Sequence, residues 1–282
     1  MHAKKKQVKS VPLRVQRYMM NWIDTHTHTY DPAEGQPAAR ELVEKALAAG
    51  VYKQILGGVD LHSVAPIMEL CRAFPGTVYP TVGLHPTEVR QDYMQSLDVL
   101  YKHLSADAGQ NGNTPYVAVG EIGIDLYQDK TFFRQQQDAF RTQLRWAKER
   151  RLPVVLHVRN AFEEAWHILK EEQDGSLHGV FHCYSGSVEQ SARVLDLGFL
   201  FGIGGVLTFK NAGLPEVVRN VPLDSLVLET DAPWLSPVPF RGKPNDSSTI
   251  PIIGHKLAEI LGITPQQAAQ ATTANALRLF GL

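Results

Sequence analysis

The sequence predicts a (β/α)8 barrel, because short apolar runs alternate with longer amphipathic runs along most of the chain. The short runs are rich in Val, Ile, Leu and aromatic residues, as in parallel strands that are buried on both faces. A length of 282 residues accommodates one barrel of this kind. Polar side chains of metal-binding type also follow several short runs, and barrel enzymes carry their active sites at the carboxyl ends of the strands. An open, doubly wound sheet is the alternative arrangement.

The predicted elements alternate in a regular order. The strands are predicted at residues 22–26, 52–57, 78–83, 116–121, 153–157, 179–182, 199–203 and 225–229. The helices are predicted at residues 37–50, 62–74, 96–106, 131–151, 161–173, 188–197 and 213–220, with a last pair at 250–261 and 265–280. Thr264 and Pro265 are typical of a helix N-cap and first helical residue, and Gly50 is typical of the residue after a helix.

The composition is that of an ordinary globular protein, with 44% hydrophobic and 20% charged residues. The formal net charge of -1 excludes a nucleic-acid binder that relies on overall positive charge. Cys71 and Cys183 are the only cysteines, so free thiols in a reducing cytoplasm are expected rather than a disulfide scaffold. No apolar stretch approaches about 18 residues, and no membrane segment is expected.

Residues 1–20 are basic and lack the apolar core of a secretory signal. We expect a disordered arm there, or a translation start at Met19 or Met20, and a nucleic-acid-binding arm is the alternative. A single folded domain is expected over residues 21–282. Within it, residues 232–251 are rich in proline and lack periodicity, and long irregular segments of this kind are often functional.

Side chains of metal-ligand type stand at the downstream ends of the predicted strands. They are His26, His28, Glu121, His157, His182 and Asp231. In a barrel these strand ends meet at one rim, so the side chains are expected to converge on one pocket. A single His-x-His pair or an acidic strand end is more often structural. A whole rim of such residues would be costly to bury without a metal ion.

The chemistry of this set fits a mixed nitrogen and oxygen site for two divalent ions such as Zn²⁺, Mn²⁺ or Mg²⁺. His26 and His28 are two residues apart and therefore point to the same side of a strand, where they can hold one ion. Glu121 can bridge two ions, and the two histidines that follow it can hold the second. Asp231 can bind metal or accept a proton from water. Two ions about 3.5–4 Å apart activate water and stabilise the leaving oxygen in phosphoester cleavage.

A series of short segments forms a specific pattern through its order and spacing. The segments are Ile23–His28, Gly83–Pro86, Gly120–Asp125, Leu156–Arg159, His182–Gly186, Glu229–Leu235 and Arg241–Lys243. This pattern resembles the TatD family of metal-dependent deoxyribonucleases, within the amidohydrolase superfamily. The resemblance extends from Asn21 to Leu282 and leaves out the first twenty residues.

The resemblance implies a TIM barrel that hydrolyses DNA phosphodiester bonds with divalent metal, often from a 3′ end. It implies one ion on His26, His28, Glu121 and Asp231, and a second ion on Glu121, His157 and His182. Thr27 stands where the family commonly has Cys, but this side chain is expected to point away from the metals. Residues 244–247 read Pro-Asn-Asp-Ser in place of Arg-Asn-Glu-Pro, which bears on substrate contacts in that loop. Several amidase and lactonase relatives have a carboxylated Lys on the fourth strand, so Glu121 favours the TatD branch.

Two residues near the predicted pocket are candidates for binding phosphate. His85 ends the third strand, and a structural role in the turn before Pro86 is its alternative. Arg159 lies two residues beyond His157 and can bind phosphate in bidentate fashion, with a salt bridge as its alternative role.

The irregular segment and the strand ends supply further candidates for substrate contacts. Arg241 and Lys243 are expected to contact a nucleic-acid backbone, with a solvated loop as the alternative. Trp234 and Tyr184 are candidates for stacking on a base, and simple packing is the alternative for each.

We therefore predict a hydrolase in which metal-activated water attacks a DNA phosphodiester, with single-stranded DNA or 3′ ends as substrate. Asp231 is the expected base, and Glu121 is the second catalytic carboxylate. A metal-dependent esterase or deacylase acting on aminoacyl-nucleic acid is the alternative. A non-catalytic binding barrel is a third hypothesis, against which the complete ligand set argues. We expect a cytoplasmic monomer without membrane contact.

Overall fold

The computed structural model describes residues 20–106, 115–127 and 129–282, so the expected disordered arm, apart from Met20, lies outside the described residues. The strands are β1 (Trp22–Thr27), β2 (Val51–Leu56), β3 (Val78–Val82), β4 (Ala118–Asp125), β5 (Val154–Arg159), β6 (Gly179–Phe181), β7 (Leu200–Ile203) and β8 (Leu226–Leu228). The helices are α1 (Ala39–Ala48), α2 (Leu61–Ala73), α3 (Tyr93–Ala106), α4 (Phe133–Arg150), α5 (Phe162–Glu172), α6 (Val188–Asp196), α7 (Leu214–Asn220), α8 (Ile250–Leu261) and α9 (Pro265–Phe280).

The strands form one parallel sheet in which each strand pairs with the next along the chain, from β1 to β8. β8 then returns to β1, where the hydroxyl of Thr25 donates to the carbonyl of Leu228 at 3.0 Å. Just beyond the strand, the N–H of Asp231 donates to the carbonyl of His26 at 3.0 Å. This arrangement confirms the predicted (β/α)8 TIM barrel, and the open, doubly wound alternative is wrong.

β4 and β5 extend further towards their carboxyl ends than the sequence predicts, reaching Asp125 and Arg159. These two residues are register partners at the end of the β4–β5 ladder. Backbone pairing between the strands therefore continues after the apolar pattern has stopped. A register irregularity between Gly120 and Ile122 shifts the ladder where Glu121 enters the barrel.

The helix ends follow local sequence signals. Thr264 accepts a hydrogen bond from the N–H of Gln267 and Pro265 opens α9, as predicted. Gly50 follows α1 with a φ of 89°, which L side chains rarely adopt, and a Cβ there would lie 2.8 Å from the Met20 carbonyl. Among the described residues, none of the helices combines the length and apolar character needed to cross a bilayer.

The amino-terminal half of the barrel interior is apolar. One buried cluster contains Ile23, Ile55, Ala118, Val155, Val180 and Val227, together with Ala276, Leu279 and Phe280 of α9. We call this cluster the lower plug. A larger apolar cluster fills the layer between the strands and the surrounding helices. The carboxyl half of the interior is therefore left for the polar residues that follow the same strands.

Candidate metal centre

Glu121 lies at the centre of the carboxyl end of the barrel and is buried, with a 2% exposed fraction. Its Oε2 atom is 3.2 Å from Nε2 of His26 and 3.7 Å from Nε2 of His28. Its Oε1 atom is 2.7 Å from Nε2 of His182 and 2.8 Å from Nδ1 of His157. Each carboxylate oxygen thus faces a separate pair of imidazoles, which is the arrangement expected of a group shared by two cations.

Asp231 completes the side of the centre that contains β1. Its Oδ1 atom is 3.8 Å from Nε2 of His26 and 3.6 Å from Nε2 of His28. Asp231 has a positive φ of 55°, and its side chain is 15% exposed, whereas that of Glu121 is 3% exposed. Of these two carboxylates, Asp231 is therefore the one that an incoming substrate or water reaches more readily.

The close approach of the first two histidines to β2 requires a glycine beside them. A Cβ atom at Gly57 would lie 2.6 Å from Cε1 of His26 and 3.0 Å from Cε1 of His28. Any larger residue at position 57 would displace both imidazoles. The chain directly after β2 thus leaves room for the pair that β1 presents.

The electrostatics of the centre favour bound positive charge. Burial alone would raise the pKa of Glu121, but the surrounding histidines, His182 foremost, hold it well below its usual range. The pKa of His182 is in turn well above its ordinary value, because the nearby Glu121 outweighs the effect of burial. No Lys or Arg in the described ranges forms an ion pair with Glu121. Bound divalent cations would supply the positive charge that stabilises the Glu121 carboxylate.

In His28 and His157, the ring nitrogen that points away from Glu121 is hydrogen-bonded. The other ring nitrogen of each is therefore free to bind metal. The hydroxyl of Tyr30 donates to the carbonyl of Gly57 at 2.9 Å and lies 3.1 Å from Nδ1 of His28. Nδ1 of His28 is therefore the donor to Tyr30, and Nε2 keeps its lone pair. Nε2 of His157 lies 2.9 Å from Oδ2 of Asp125, so its Nδ1 keeps the lone pair.

His85 belongs to the same cluster but turns an N–H group, rather than a lone pair, towards Glu121. Its Nε2 lies 3.3 Å from Oε1 of Glu121, on the side of His157. The N–H of Thr87 donates to its Nδ1 at 3.1 Å, so this nitrogen carries the lone pair and Nε2 carries the hydrogen. Burial lowers the pKa of His85, which keeps the ring neutral. His85 is thus set up as a hydrogen-bond donor into the centre.

The donor set fits divalent metal ions. The six predicted ligands lie together, and groups of three have ligand atoms within 4.8 Å of one another. The remaining nitrogens of His26 and His182, both Nδ1, are buried without a hydrogen bond, so Nε2 is the atom that each directs at the centre. Imidazole nitrogens combined with carboxylate oxygens suit Zn²⁺, Mn²⁺ and similar ions. The assignment of individual residues to individual ions remains a prediction.

Two supporting carboxylates were not singled out from the sequence. Asp125 fixes His157 through Nε2, and its other oxygen accepts the N–H of Tyr127 at 2.8 Å. Glu229 is fully buried, and its Oε1 lies 3.7 Å from Nδ1 of His182. Asp125 lies four residues after Glu121, and Glu229 lies two before Asp231. For Asp125 this even spacing within β4 places both residues on the same face and was the available signal, whereas Glu229 and Asp231 lie beyond the end of β8, where strand periodicity gives none.

Asp24 joins three parts of the chain. It accepts hydrogen bonds from the backbone and hydroxyl of Thr230, at 3.0 and 2.6 Å, and from the hydroxyl of Ser247 at 2.7 Å. It also accepts the N–H of His26 at 3.2 Å. Burial raises the pKa of Asp24 to about 7, and these hydrogen bonds oppose that rise. The network links β1 to the loop after β8.

The other predicted substrate contacts lie outside this cluster. Arg159 is exposed at the end of β5, with its guanidinium 3.8 Å from the ring centre of Tyr127. Arg159 forms no ion pair within the described residues, and its contact with a phosphate stays a prediction. Arg241 and Lys243 are exposed, and Arg241 lies 4.2 Å from the ring centre of Phe209.

The two aromatic candidates have different surroundings. Trp234 is 55% exposed and packs edge-on against His28, with ring centroids 5.1 Å apart. Tyr184 is 4% exposed and its ring packs on Phe201. Trp234 can therefore stack on a base from solvent, whereas Tyr184 is mainly a packing residue.

Comparison with known proteins places this architecture in a family. A family model described as TatD related DNase matches residues 23–281. The uncharacterized metal-dependent hydrolase YabD of Bacillus subtilis is 35% identical over 258 residues, which cover 91% of this chain and 98% of YabD. The 3′-5′ ssDNA/RNA exonuclease TatD of Salmonella typhimurium is 32% identical over 246 residues, covering 85% of this chain and 92% of that protein.

A solved structure shares both the fold and the sequence. The crystal structure of YjjV, a TatD homologue from Escherichia coli K12, superposes with a TM-score of 0.85 and 32% sequence identity. The match covers 94% of this chain and 99% of that one. The family model, over residues 23–281, includes every residue of the candidate metal centre.

Proposed function

The chain belongs to the TatD-related family of metal-dependent hydrolases, and from this premise we propose that it is a deoxyribonuclease. The proposed substrate is single-stranded DNA or a 3′ end. One observation carries the proposal: Glu121 presents one oxygen to His26 and His28 and the other to His157 and His182. A pair of cations held on the two sides of one carboxylate suits the displacement of one phosphoester oxygen by another.

The residues of the chain have distinct roles in this proposal. Bound metal ions would supply Lewis acidity, which acidifies water and neutralises charge on the phosphate. Asp231 would orient the attacking water and take its proton. Burial would raise the pKa of Asp231, but the hydrogen bond with His28 and the charge of His182 outweigh burial and lower it. Asp231 is therefore ionised near neutral pH, as a base must be.

His85 would hold the phosphate as a neutral donor. Its Nε2–H points to the side of Glu121 that faces His157, where a phosphoryl oxygen would lie. A neutral donor suits a site that already contains several cationic or metal-binding groups, because it adds no further repulsion. Arg159, Arg241 and Lys243 remain candidates for contacts with phosphates further along the strand.

The substrate and setting of the protein are part of the same proposal. The 3′-5′ exonuclease name of the Salmonella relative supports cleavage of single-stranded nucleic acid from a 3′ end. The exposed ring of Trp234, beside His28, supports a substrate with unpaired bases, because every base offers a face for stacking. We propose a cytoplasmic monomer, in keeping with the free cysteines Cys71 and Cys183.

The decisive experiment is digestion of end-labelled single- and double-stranded DNA by metal-loaded protein, with and without a chelator. We expect chelator-sensitive shortening of single strands from the 3′ end, nearly abolished in Asp231→Asn and His157→Ala variants that still fold. Parallel assays with an aryl phosphodiester and with aminoacyl esters identify the bond that is cleaved. Cleavage of aminoacyl esters without any phosphodiester hydrolysis would replace the nuclease by a deacylase.

A further inference from the structure

A cleft opens beside the metal centre, between the start of α5 and the loop that follows β6. It has a volume of about 390 Å³ and is lined by Val158 and residues 160–164 on one side and by residues 181–186 on the other, with Gln190 from α6. His182 lines the cleft and also lies 2.7 Å from Glu121, so the cleft and the metal centre share a wall. We call it the β5–β6 cleft. Its volume is within the range of about 300–1,000 Å³ typical of small-molecule sites.

Aromatic rings form the apolar part of the cleft. Phe181 and Tyr184 are buried, with ring centroids 6.5 Å apart, and Phe162 lies 6.3 Å from Phe181 by the same measure. The hydroxyl of Tyr184 donates to the carbonyl of Ser187 at 3.0 Å, which fixes the orientation of this ring. Phe181 and Tyr184 therefore fix the shape of the wall from beneath, and the half-buried Phe162 is the ring that a flat ligand can reach.

Polar groups with unused hydrogen-bonding capacity stand beside the rings. Asn160 has a φ of 52° between β5 and α5, and its amide makes no hydrogen bond within the described part of the chain. The N-cap residue of α5 is Ala161, which offers no side-chain cap, and Asn160 lies one residue before it. Gln190 uses its carbonyl oxygen to accept the N–H of Ser187, which leaves its amide hydrogens for a ligand.

The charge of the cleft argues against a phosphate inside it. None of the residues that line it is Lys or Arg. Glu163 is paired with Arg193 through two contacts of 2.6 and 2.9 Å, and Glu164 adds a further negative charge. A neutral, flat ligand with both donors and acceptors fits this surface better than an anion.

We propose that the β5–β6 cleft binds the nucleoside next to the scissile phosphate, an inference that rests on the proposed function. The phosphate would lie at the metal centre, and the base would enter the cleft on the side of His182. One face would contact Phe162, and its edge would meet the amides of Asn160 and Gln190. The cleft would then distinguish nucleotide esters from phosphodiesters that carry no nucleoside.

The test fills the cleft with a large side chain. Ser185 is exposed on its wall, so Ser185→Trp blocks the cleft without replacing any group around Glu121. Ser176→Trp is the matched control, because Ser176 is also exposed but lies between α5 and β6, at the opposite end of the barrel. Binding of thymidine to metal-loaded protein is measured by saturation-transfer NMR and calorimetry. The kcat/KM values for thymidine 4-nitrophenyl phosphate and bis(4-nitrophenyl) phosphate are measured in parallel.

We expect Ser185→Trp to weaken thymidine binding by about tenfold or more, the scale of one lost base-stacking contact. The ratio of kcat/KM for the thymidine ester to that for the bis-aryl ester should fall by a similar factor. Ser176→Trp should match the wild type in both measurements. Thymidine binding that is absent from the wild type, or unchanged in Ser185→Trp, overturns the inference. Thymidine binding without hydrolysis of either ester would support the cleft and overturn the proposed function instead.

Discussion

The two halves of the barrel interior are formed by the same strands but contain opposite kinds of side chain. Val155 and His157 are two residues apart in β5, and Val180 and His182 have the same spacing at β6. Side chains two apart point to the same face of a strand, so each valine lies in the layer below a histidine. The valines belong to the lower plug, whereas the histidines surround Glu121.

Because of this difference, one part of each strand stabilises the fold and the other part supplies the groups that would bind metal. The lower plug removes apolar surface from water, which stabilises the fold by about 25 cal/mol per Å². The upper layer buries carboxylates and imidazoles, which is unfavourable unless they are paired or hold cations. The fold can therefore tolerate an upper layer that is tuned for binding metal, because the lower plug supplies packing that does not depend on it.

The largest expected effect comes from removing the group shared by both sides of the upper layer. Glu121→Gln should lower phosphodiesterase activity by about 1,000-fold or more and reduce the metal content, because an amide cannot supply two anionic oxygens. Metal analysis and steady-state kinetics measure both quantities. Glu259→Gln, at a largely exposed side chain of α8, is the matched control. Full activity with unchanged metal content would remove Glu121 from the centre.

A substitution in the lower plug should affect stability rather than metal binding. Phe280 is 5% exposed, and Phe280→Ala should lower the free energy of unfolding by about 3–5 kcal/mol through lost burial and a cavity. Urea denaturation measures this loss, and metal affinity should stay within about twofold because the plug is remote from the ligands. Met94→Ala, at a 64% exposed position, should change stability by less than about 0.5 kcal/mol. A large fall in metal affinity would show that the two layers are coupled.

A smaller effect is expected from the carboxylate that orients His157. One oxygen of Asp125 accepts the N–H of Tyr127 and the other contacts His157. Asp125→Asn leaves a single carbonyl for both partners, so metal affinity should weaken by about 10- to 100-fold. Competition with a chelator measures the dissociation constant, and Asp98→Asn on the exposed face of α3 is the control. Unchanged affinity would mean that His157 is held in place without Asp125.

The smallest expected change in the free energy of unfolding comes from an ion-pair network at the outer surface, away from either layer. The hydrogen bond from Arg145, helped by Lys148, lowers the pKa of Glu172, although burial opposes the shift. The stabilisation is present above the ordinary pKa of 4.5 and is lost as the pH falls through the lowered value. Glu172→Gln should cost less than about 1 kcal/mol at pH 7, because solvent screens these charges. A difference from the wild type that persists at pH 2 would contradict this account.

Sequence patterns placed most of the candidate ligands at one rim, because these residues sit at fixed places relative to strands. His157 and His182 could be assigned to one rim once β5 and β6 were recognised as parallel neighbours. Asp125 was overlooked because its role depends on the length and register of the β4–β5 ladder, which continues beyond the apolar pattern. The position of the Arg159 guanidinium over the ring of Tyr127 was likewise out of reach of the sequence, because periodicity does not identify this neighbour.

The sequence by itself determined the barrel, the order of its elements and the rim on which the polar residues gather. These properties depend on periodicity and on the direction of parallel strands, and both are local features of the chain. Only the tertiary structure decided which imidazole nitrogen faces the centre and where an open cleft remains beside it. Those outcomes depend on partners such as Thr87 for His85, and on the packing of α5 against the loop after β6. Hydrogen bonds and cavities arise between segments, so their geometry exists only after the chain has folded.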